Sequence, residues 1–277
     1  MKKILLPFLL IASAFNVQAQ RITFDDGTSV NVNNATFDYQ SIRRASLGVV
    51  IDIDGLAGSK ILTASYLQPE KFQIAANVGF ASASLETCIF FTGKTKERER
   101  GFAVKYASGG YNTINKYILT HAVEKRKELG VYLAVNDYGH LLPEATDGGR
   151  VDNFPYLKQT QVYAGIAAVN YWHANINVDD NYMKRGQYIG RTIFAPFITF
   201  GTEADTLNYT KDDAPQYGAR LMYELSNTFG FAGPKIRGRT NFIFRGGIDL
   251  GFDKNKHFYK ELIFGIGVVY NFAEGNH

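Results

Sequence analysis

Cysteine and long apolar runs are scarce in this 277-residue chain, and each shortage excludes a class of protein. The single cysteine, Cys88, excludes an internal disulfide framework and any CxxC metal site. No apolar run is long enough for a membrane-spanning helix, so a helical membrane bundle is excluded. The 27 glycines follow no period of three, which excludes a collagen-like repeat.

Aromatic residues, by contrast, are abundant. The chain contains 21 Phe, 17 Tyr and 1 Trp, and 45% of its residues are hydrophobic. A disordered chain could not keep so many large apolar side chains in water. An aromatic content of 14% is also high for a soluble domain in which only 20% of residues are charged.

The first nineteen residues have the pattern of a secretory signal peptide. Lys2 and Lys3 precede an apolar stretch over 4–12, and Val17 and Ala19 fit a small-residue cleavage site. A membrane anchor is the alternative, but the apolar stretch is too short to span a bilayer. We therefore expect an exported protein cleaved after Ala19. Loss of the two lysines lowers the net charge from +4 to +2, so nucleic acid is not an expected partner.

The mature chain alternates apolar and polar residues with a period of two, the pattern of β-strands with two different faces. The last segment shows it best. Its apolar positions are Leu262, Phe264, Ile266, Val268, Tyr270 and Phe272. The preceding segment has Phe242, Phe244, Ile248, Leu250 and Phe252 on one face and Arg237, Arg239, Asn241, Arg245 and Asp249 on the other.

The alternation predicts about twelve strands in one domain. We place them near 45–53, 60–67, 72–82, 85–92, 101–107, 115–124, 130–136, 159–174, 188–201, 217–230, 236–252 and 260–272. Segments of this length suit an all-β, transmembrane, antiparallel up-and-down barrel over 43–277, preceded by a lead-in segment over 20–42. A soluble ligand-binding barrel is the alternative, but such barrels usually close with about eight strands.

The predicted connections also alternate in length, as they do in membrane barrels. The two long ones, 137–158 and 202–216, fall on one side of the barrel. The tight links 68–70 and 232–235 fall on the other side with both chain ends. On that second side we also expect charged turns at 94–100 and 125–129 and a longer link at 175–187.

The final strand resembles the C-terminal signature of Gram-negative outer-membrane barrels. The resemblance rests on Phe264, Ile266, Val268, Tyr270 and Phe272, although residues 273–277 follow the last aromatic. It implies an outer-membrane location, contact with outer-membrane lipid, and recognition by the barrel-assembly machinery during biogenesis. No motif narrows the resemblance to a smaller family.

The inward positions of the last four predicted strands are rich in arginine. The candidate pore-lining residues are Arg191, Arg220, Glu224, Arg237, Arg239, Arg245 and Asp249. Five cations against two anions favour a pore for anions if the barrel is open. Alternatively, arginine–carboxylate pairs fill the interior and hold the strands together.

Motifs for catalysis, metals and cofactors are missing from the sequence. None of the five histidines lies in a His-x-Ser motif, and no Gly-x-Ser-x-Gly elbow occurs. We therefore expect no metal, no cofactor and no enzymatic activity. The first functional hypothesis is a porin-like channel for small solutes, with a preference for anions if the arginines line an open pore. The alternative is a structural or accessory barrel that binds a protein partner through its long loops or through 20–42.

Overall fold

The fold is seen in a computed structural model of the whole chain. The structure describes residues 20–54, 60–79, 82–109, 113–141, 156–178, 182–205, 215–227 and 240–274. The expected signal peptide at 1–19 lies outside these residues, as do 142–155 and 206–214 of the two long predicted loops.

The described residues are almost entirely β-structure. A short 3-10 helix, η1, covers Gln40–Ile42. The strands are β1 (Gln20–Thr23), β2 (Ser29–Thr36), β3 (Arg44–Asp54), β4 (Lys60–Gln68), β5 (Phe72–Gly79), β6 (Ser82–Gly109), β7 (Thr113–Leu141), β8 (Tyr156–Val178), β9 (Tyr182–Asp205), β10 (Tyr217–Asn227), β11 (Thr240–Phe252) and β12 (Phe258–Glu274).

Ten of these strands, β3 to β12, close into an antiparallel barrel. Each pairs with its sequence neighbour, β12 pairs with β3, and β8 and β9 complete the ring. The prediction of an all-β antiparallel barrel is confirmed, but the predicted count of twelve strands is wrong for the barrel. Segments 85–92 and 101–107 are both parts of β6, and segments 115–124 and 130–136 are both parts of β7.

The two charged turns predicted at 94–100 and 125–129 are therefore strand. Lys94 lies opposite Lys127, and Arg100 lies opposite His121, in one continuous ladder between β6 and β7. The charge of these stretches favoured the prediction of turns, because charged side chains prefer contact with water. The hydrogen bonds of a β-ladder join backbone groups only, so a strand can also carry exposed charged side chains. The link predicted at 175–187 is also mostly strand, since β8 runs to Val178 and β9 begins at Tyr182.

The tight turn predicted at 68–70 is present between β4 and β5. The Lys71 amide donates to the Gln68 carbonyl at 3.2 Å, and Glu70 adopts a left-handed φ of 67°. The chain therefore reverses at the same end of the barrel where β3 begins and β12 ends.

At this end, the β6–β7 and β8–β9 hairpins continue beyond the barrel. Residues 20–42 lie between them: β2 pairs with the end of β8, and the Glu124 amide of β7 donates to the Phe37 carbonyl at 3.1 Å. A second apolar core joins the three parts, built from Val30, Val32, Ala35, Phe37, Val104, Val123, Ala174, Ile176 and Val178. We call this assembly, β1, β2, η1 and the ends of the two hairpins, the extension.

Burial in the barrel is the reverse of that in a soluble protein. Every barrel strand exposes large apolar side chains, among them Phe264 on β12 and Phe194 on β9. Arginines, carboxylates and amides are buried on the opposite face. Among the described residues, no helix is long and apolar enough to cross a membrane.

Candidate functional site: the charged interior of the barrel

The barrel interior contains two clusters of ion pairs, one of four residues and one of two, contributed by four strands. Their members are Glu86 on β6, Arg191 on β9, Arg220 and Glu224 on β10, and Arg245 and Asp249 on β11. All six side chains are buried, and Arg191 retains only 1% of its accessible surface. Burying a charge is costly unless it is paired and hydrogen-bonded, so the pairing of these groups determines whether the interior is stable.

Arg191 connects two walls of the barrel. Its Nη2 donates to Glu86 Oε2 at 3.0 Å and to Glu224 Oε2 at 3.2 Å. Glu224 lies on the neighbouring strand directly opposite Arg191, but Glu86 lies on β6, with β7 and β8 between β6 and β9. The Arg191–Glu86 pair therefore bridges the interior.

Glu224 is shared by two arginines. Arg245 Nε donates to Glu224 Oε2 at 2.6 Å, and Arg245 is the register partner of Glu224 on β11. Cross-strand opposite charges of this kind stabilise neighbouring strands. Together with Arg191 and Glu86 they form one chain of alternating charge from β6 to β11.

Arg220 and Asp249 form a separate, bidentate pair. Arg220 Nε and Nη2 donate to the two oxygens of Asp249 at 2.9 and 2.7 Å. The Tyr163 hydroxyl donates to Asp249 Oδ2 at 3.2 Å, and the Arg220 guanidinium lies 4.4 Å from the Tyr163 ring centroid. Two parallel hydrogen bonds and an aromatic face are the contacts that a planar guanidinium accommodates best.

The end of the barrel next to the extension is occupied by the lead-in segment. Ile42 and Tyr39 belong to the same buried cluster as Tyr171 and Tyr132 of the barrel wall. The Tyr39 hydroxyl donates to Glu70 Oε1 at 2.8 Å, and burial together with this hydrogen bond raises the pKa of Tyr39. The lead-in is thus fixed in the barrel mouth.

An arginine at this mouth connects the lead-in to the wall. Arg126 contacts Glu70 Oε1 at 3.2 Å, and its Nε donates to Glu128 Oε1 at 2.8 Å. Its guanidinium also lies 5.2 Å from the centroid of the Tyr39 ring. These contacts link the β4–β5 turn, β7 and the lead-in.

Five of the seven sequence-predicted interior residues meet in these two clusters. They are Arg191, Arg220, Glu224, Arg245 and Asp249. Arg237 and Arg239 lie outside the described residues. A role for any of the seven in lining an open pore stays a prediction.

Glu86 is the partner that the sequence did not reveal. It occupies an alternating buried position with Ser84 and Cys88, but its segment carried no cation to indicate a partner. With Glu86 included, the two clusters contain three arginines and three carboxylates. These six side chains together therefore carry no net charge.

The predicted assembly residues all lie on the outer face of β12. Phe264, Ile266, Val268, Tyr270 and Phe272 are exposed, and Phe272 retains 57% of its surface. Recognition by the assembly machinery stays a prediction. Among the described residues, no group of three or more His, Cys, Asp and Glu side chains could hold a metal ion.

Comparison with known proteins gives only distant matches. No protein-family model and no curated protein matches the sequence. Outer-membrane-expressed OmpT of Vibrio cholerae is 13% identical, with 77% of this chain and 65% of that chain covered and a TM-score of 0.12. In-vitro folded OmpT, an outer membrane protein of Vibrio cholerae, is 11% identical, with 88% of this chain and 76% of that chain covered and a TM-score of 0.13.

The chain thus spans 65% of the first of these proteins, just under two thirds of its length. TM-scores this low carry no argument about function. Neither of these matches supports the expectation that the chain is not an enzyme. We withdraw that expectation and assign no activity in its place.

Proposed function

We propose that this protein is an integral outer-membrane barrel with a closed interior, which acts as a structural or accessory protein through its extension. The observation that carries the proposal is the reversed burial, with large apolar side chains outside every barrel strand and ion pairs inside. An exposed apolar surface that encircles a whole barrel suits lipid, because in water it would drive association.

The height of the apolar surface supports this location. On β12 the uninterrupted run of alternate exposed apolar positions extends from Leu262 to Phe272, beyond Lys260. Ten residues at about 3.4 Å each extend about 34 Å along the strand. At a tilt of about 40° this gives about 26 Å in height, close to the apolar band of about 25 Å in membrane barrels.

The filled interior favours an accessory role over a channel. Tyr132, Tyr163 and Tyr171 are fully buried together with the ion pairs, and the Arg191–Glu86 bridge crosses the space that a solute would use. The lead-in occupies one end through Ile42 and Tyr39. An open channel would leave its lining side chains in contact with water, as in large porins.

The accessory role assigns partner binding to the extension. This part has its own apolar core and stands outside the apolar band, so it can present a surface without disturbing the barrel. The long loops predicted at 137–158 and 202–216, whose residues 142–155 and 206–214 lie outside the described residues, are a second place for a partner.

Planar-bilayer recording tests the closed interior. We expect the reconstituted wild-type protein to conduct at background level. The interior variant E86A/Y163A/R191A should conduct, because it removes the bridge and a large ring. The outward control L221A/F194A/F264A, which also truncates three side chains, should not. Regular single-channel steps from the wild-type protein would instead support the channel hypothesis.

A further inference from the structure

Six cations share one face of the β6–β7 ribbon where it leaves the barrel. Residues directly opposite each other in an antiparallel pair lie on the same face. Lys94 lies opposite Lys127, Lys96 opposite Lys125, and Arg98 opposite Val123. The six residues, which we call the basic edge, are Lys94, Lys96, Arg98, Arg100, Lys125 and Lys127.

The basic edge continues the outward, apolar face of the barrel. On β7, alternate residues run from Leu133 and Val131 through Leu129 to Lys127 and Lys125. Leu133 and Val131 are exposed on the outer surface. Side chains alternate strictly along a strand, so Lys127 and Lys125 point to the same side as the apolar residues before them. The cations therefore begin where the apolar surface ends.

Aromatic side chains lie beside these cations. Lys125 Nζ is 5.4 Å from the ring centroid of Tyr188, and the Arg100 guanidinium is 5.8 Å from that of Trp172. Tyr188 in turn shares a hydrogen bond of 3.2 Å with the exposed Tyr223. Tyr and Trp are enriched at the boundary between lipid and water, where one part of the ring is apolar and the other polar.

Among the described residues, the carboxylates of this ribbon lie on the face opposite the basic edge. Glu97 lies opposite Glu124, and Glu99 opposite Ala122, on the other face of the ribbon. Within the part of the chain that the structure describes, no ion pair joins the six cations to a carboxylate. Burial and the neighbouring Arg98, Lys127 and Arg100 lower the pKa of Lys125, as expected for closely spaced like charges.

We infer that the basic edge binds the phosphate headgroups of anionic glycerophospholipids in the leaflet next to the extension. The inference rests on the proposed membrane location of the barrel. Lys127 and Lys125 follow Leu129 by two and four residues. They lie about 7 and 13 Å farther along the strand, or about 5 and 10 Å in height at a tilt of about 40°. The headgroup region of one leaflet occupies roughly this depth.

The shape of the basic edge favours a lipid surface over a single soluble anion. Its cations stand in rows on a two-stranded ribbon. Lys94, Lys96, Arg98, Arg100 and Lys127 are exposed, whereas Val123 on the same face is buried in the second apolar core. Long lysine side chains can bend toward the headgroups while their stems cover apolar surface. Several headgroups in one leaflet can occupy the whole row at the same time.

Thermal unfolding of the full chain in bicelles tests the inference. The bicelles contain phosphatidylcholine alone or with about a third phosphatidylglycerol. The test variant is K94Q/K96Q/K127Q, which spares Lys125 because of its contact with Tyr188. The matched control, K254Q/K256Q/K260Q, removes three exposed lysines from β12 and the turn before it, at the other end of the barrel. Native mass spectrometry counts the bound lipids, and a parallel sample contains phosphatidylcholine with inorganic phosphate.

We expect phosphatidylglycerol to raise the unfolding midpoint of the wild type and the control, and to do so much less for the test variant. The preference for phosphatidylglycerol should fall about tenfold or more on removal of three cations, and it should weaken in high salt. Equal losses in both variants, or no effect of phosphatidylglycerol on the wild type, would overturn the inference. So would equal stabilisation by inorganic phosphate. Failure of the wild type to insert into either lipid would instead contradict the proposed membrane location.

Discussion

Arg191 on β9 donates a 3.0 Å hydrogen bond to Glu86 on β6 across the barrel interior, although 105 residues separate the two in sequence. The pair forms because the sheet curves around the interior, since β7 and β8 lie between the two strands. Both side chains are buried, so the bridge can form only if both charges lose water together. It therefore reports the curvature of the sheet as well as occupation of the interior.

Removal of Glu86 should destabilise the barrel moderately. In E86Q, Arg191 keeps its contact with Glu224 but loses the other charged acceptor. We expect a loss of about 1–3 kcal/mol in the free energy of unfolding, measured by urea titration in lipid vesicles. The exposed E97Q control should change it by less than about 0.5 kcal/mol. Equal stability of the two variants would show that the bridge contributes nothing.

Removing one partner of the Arg220–Asp249 pair should destabilise the barrel more than replacing both partners. R220M leaves the buried Asp249 carboxylate with the Tyr163 hydroxyl alone, and we expect a loss of about 3–5 kcal/mol. The double variant R220M/D249L has no unpaired charge, so it should unfold at a higher urea concentration than R220M. Additive losses in this double-mutant cycle would contradict the coupling.

The unheated protein should migrate differently from the boiled protein on a detergent gel. All ten barrel strands are paired on both sides, so there is no free edge from which detergent unfolding can begin. Identical migration with recovery in the soluble fraction would contradict both the membrane location and the closed barrel in detergent.

Truncation of the last aromatic should impair assembly more than truncation of a matched one. Phe272 and Phe242 are both exposed on the outer face, at 57% and 41%, but only Phe272 lies in the segment that resembles the assembly signal. We expect several-fold less F272A than F242A in the heat-resistant membrane fraction. Equal yields would remove the special role of the final strand.

Acid should release the β1–β2 hairpin of the lead-in from β7. The Thr28 hydroxyl donates to Asp26 Oδ1 at 2.6 Å, and the Tyr117 hydroxyl of β7 donates to Oδ2. These hydrogen bonds lower the pKa of Asp26 below its usual 3.8. Because the folded-state pKa is depressed, the stabilisation is present above pH 3.8 and is lost as the pH falls through the lower folded-state value.

Limited proteolysis and hydrogen exchange of residues 20–36 measure this release. Protection should decline as the pH falls below 3.8, and D26N should show reduced protection already at neutral pH. D25N removes the same charge from the neighbouring position and should behave like the wild type. Protection that does not depend on pH in the wild type would show that Asp26 does not hold the hairpin.

The sequence by itself determined the fold class and the faces of the strands at the C-terminal end. Strict alternation puts Phe242 and Phe244 on the opposite side from Arg245 and Asp249, and the structure has the same arrangement. This information is local, because side chains alternate along any extended chain whatever it pairs with. Cross-strand partners such as Glu224 and Arg245 could be suspected for the same reason.

Only the tertiary structure decided the strand count, the closed mouth and the partner of Arg191. Residues 94–100 continue as strand because β7 pairs with them, and their charges say nothing about that pairing. Glu86 meets Arg191 because the curvature of the sheet over β7 and β8 brings β6 and β9 together across the interior. Tyr39 enters the mouth because β7 and β8 separate there and leave room for the lead-in. These contacts join residues far apart in sequence, so no pattern within a single segment contains them.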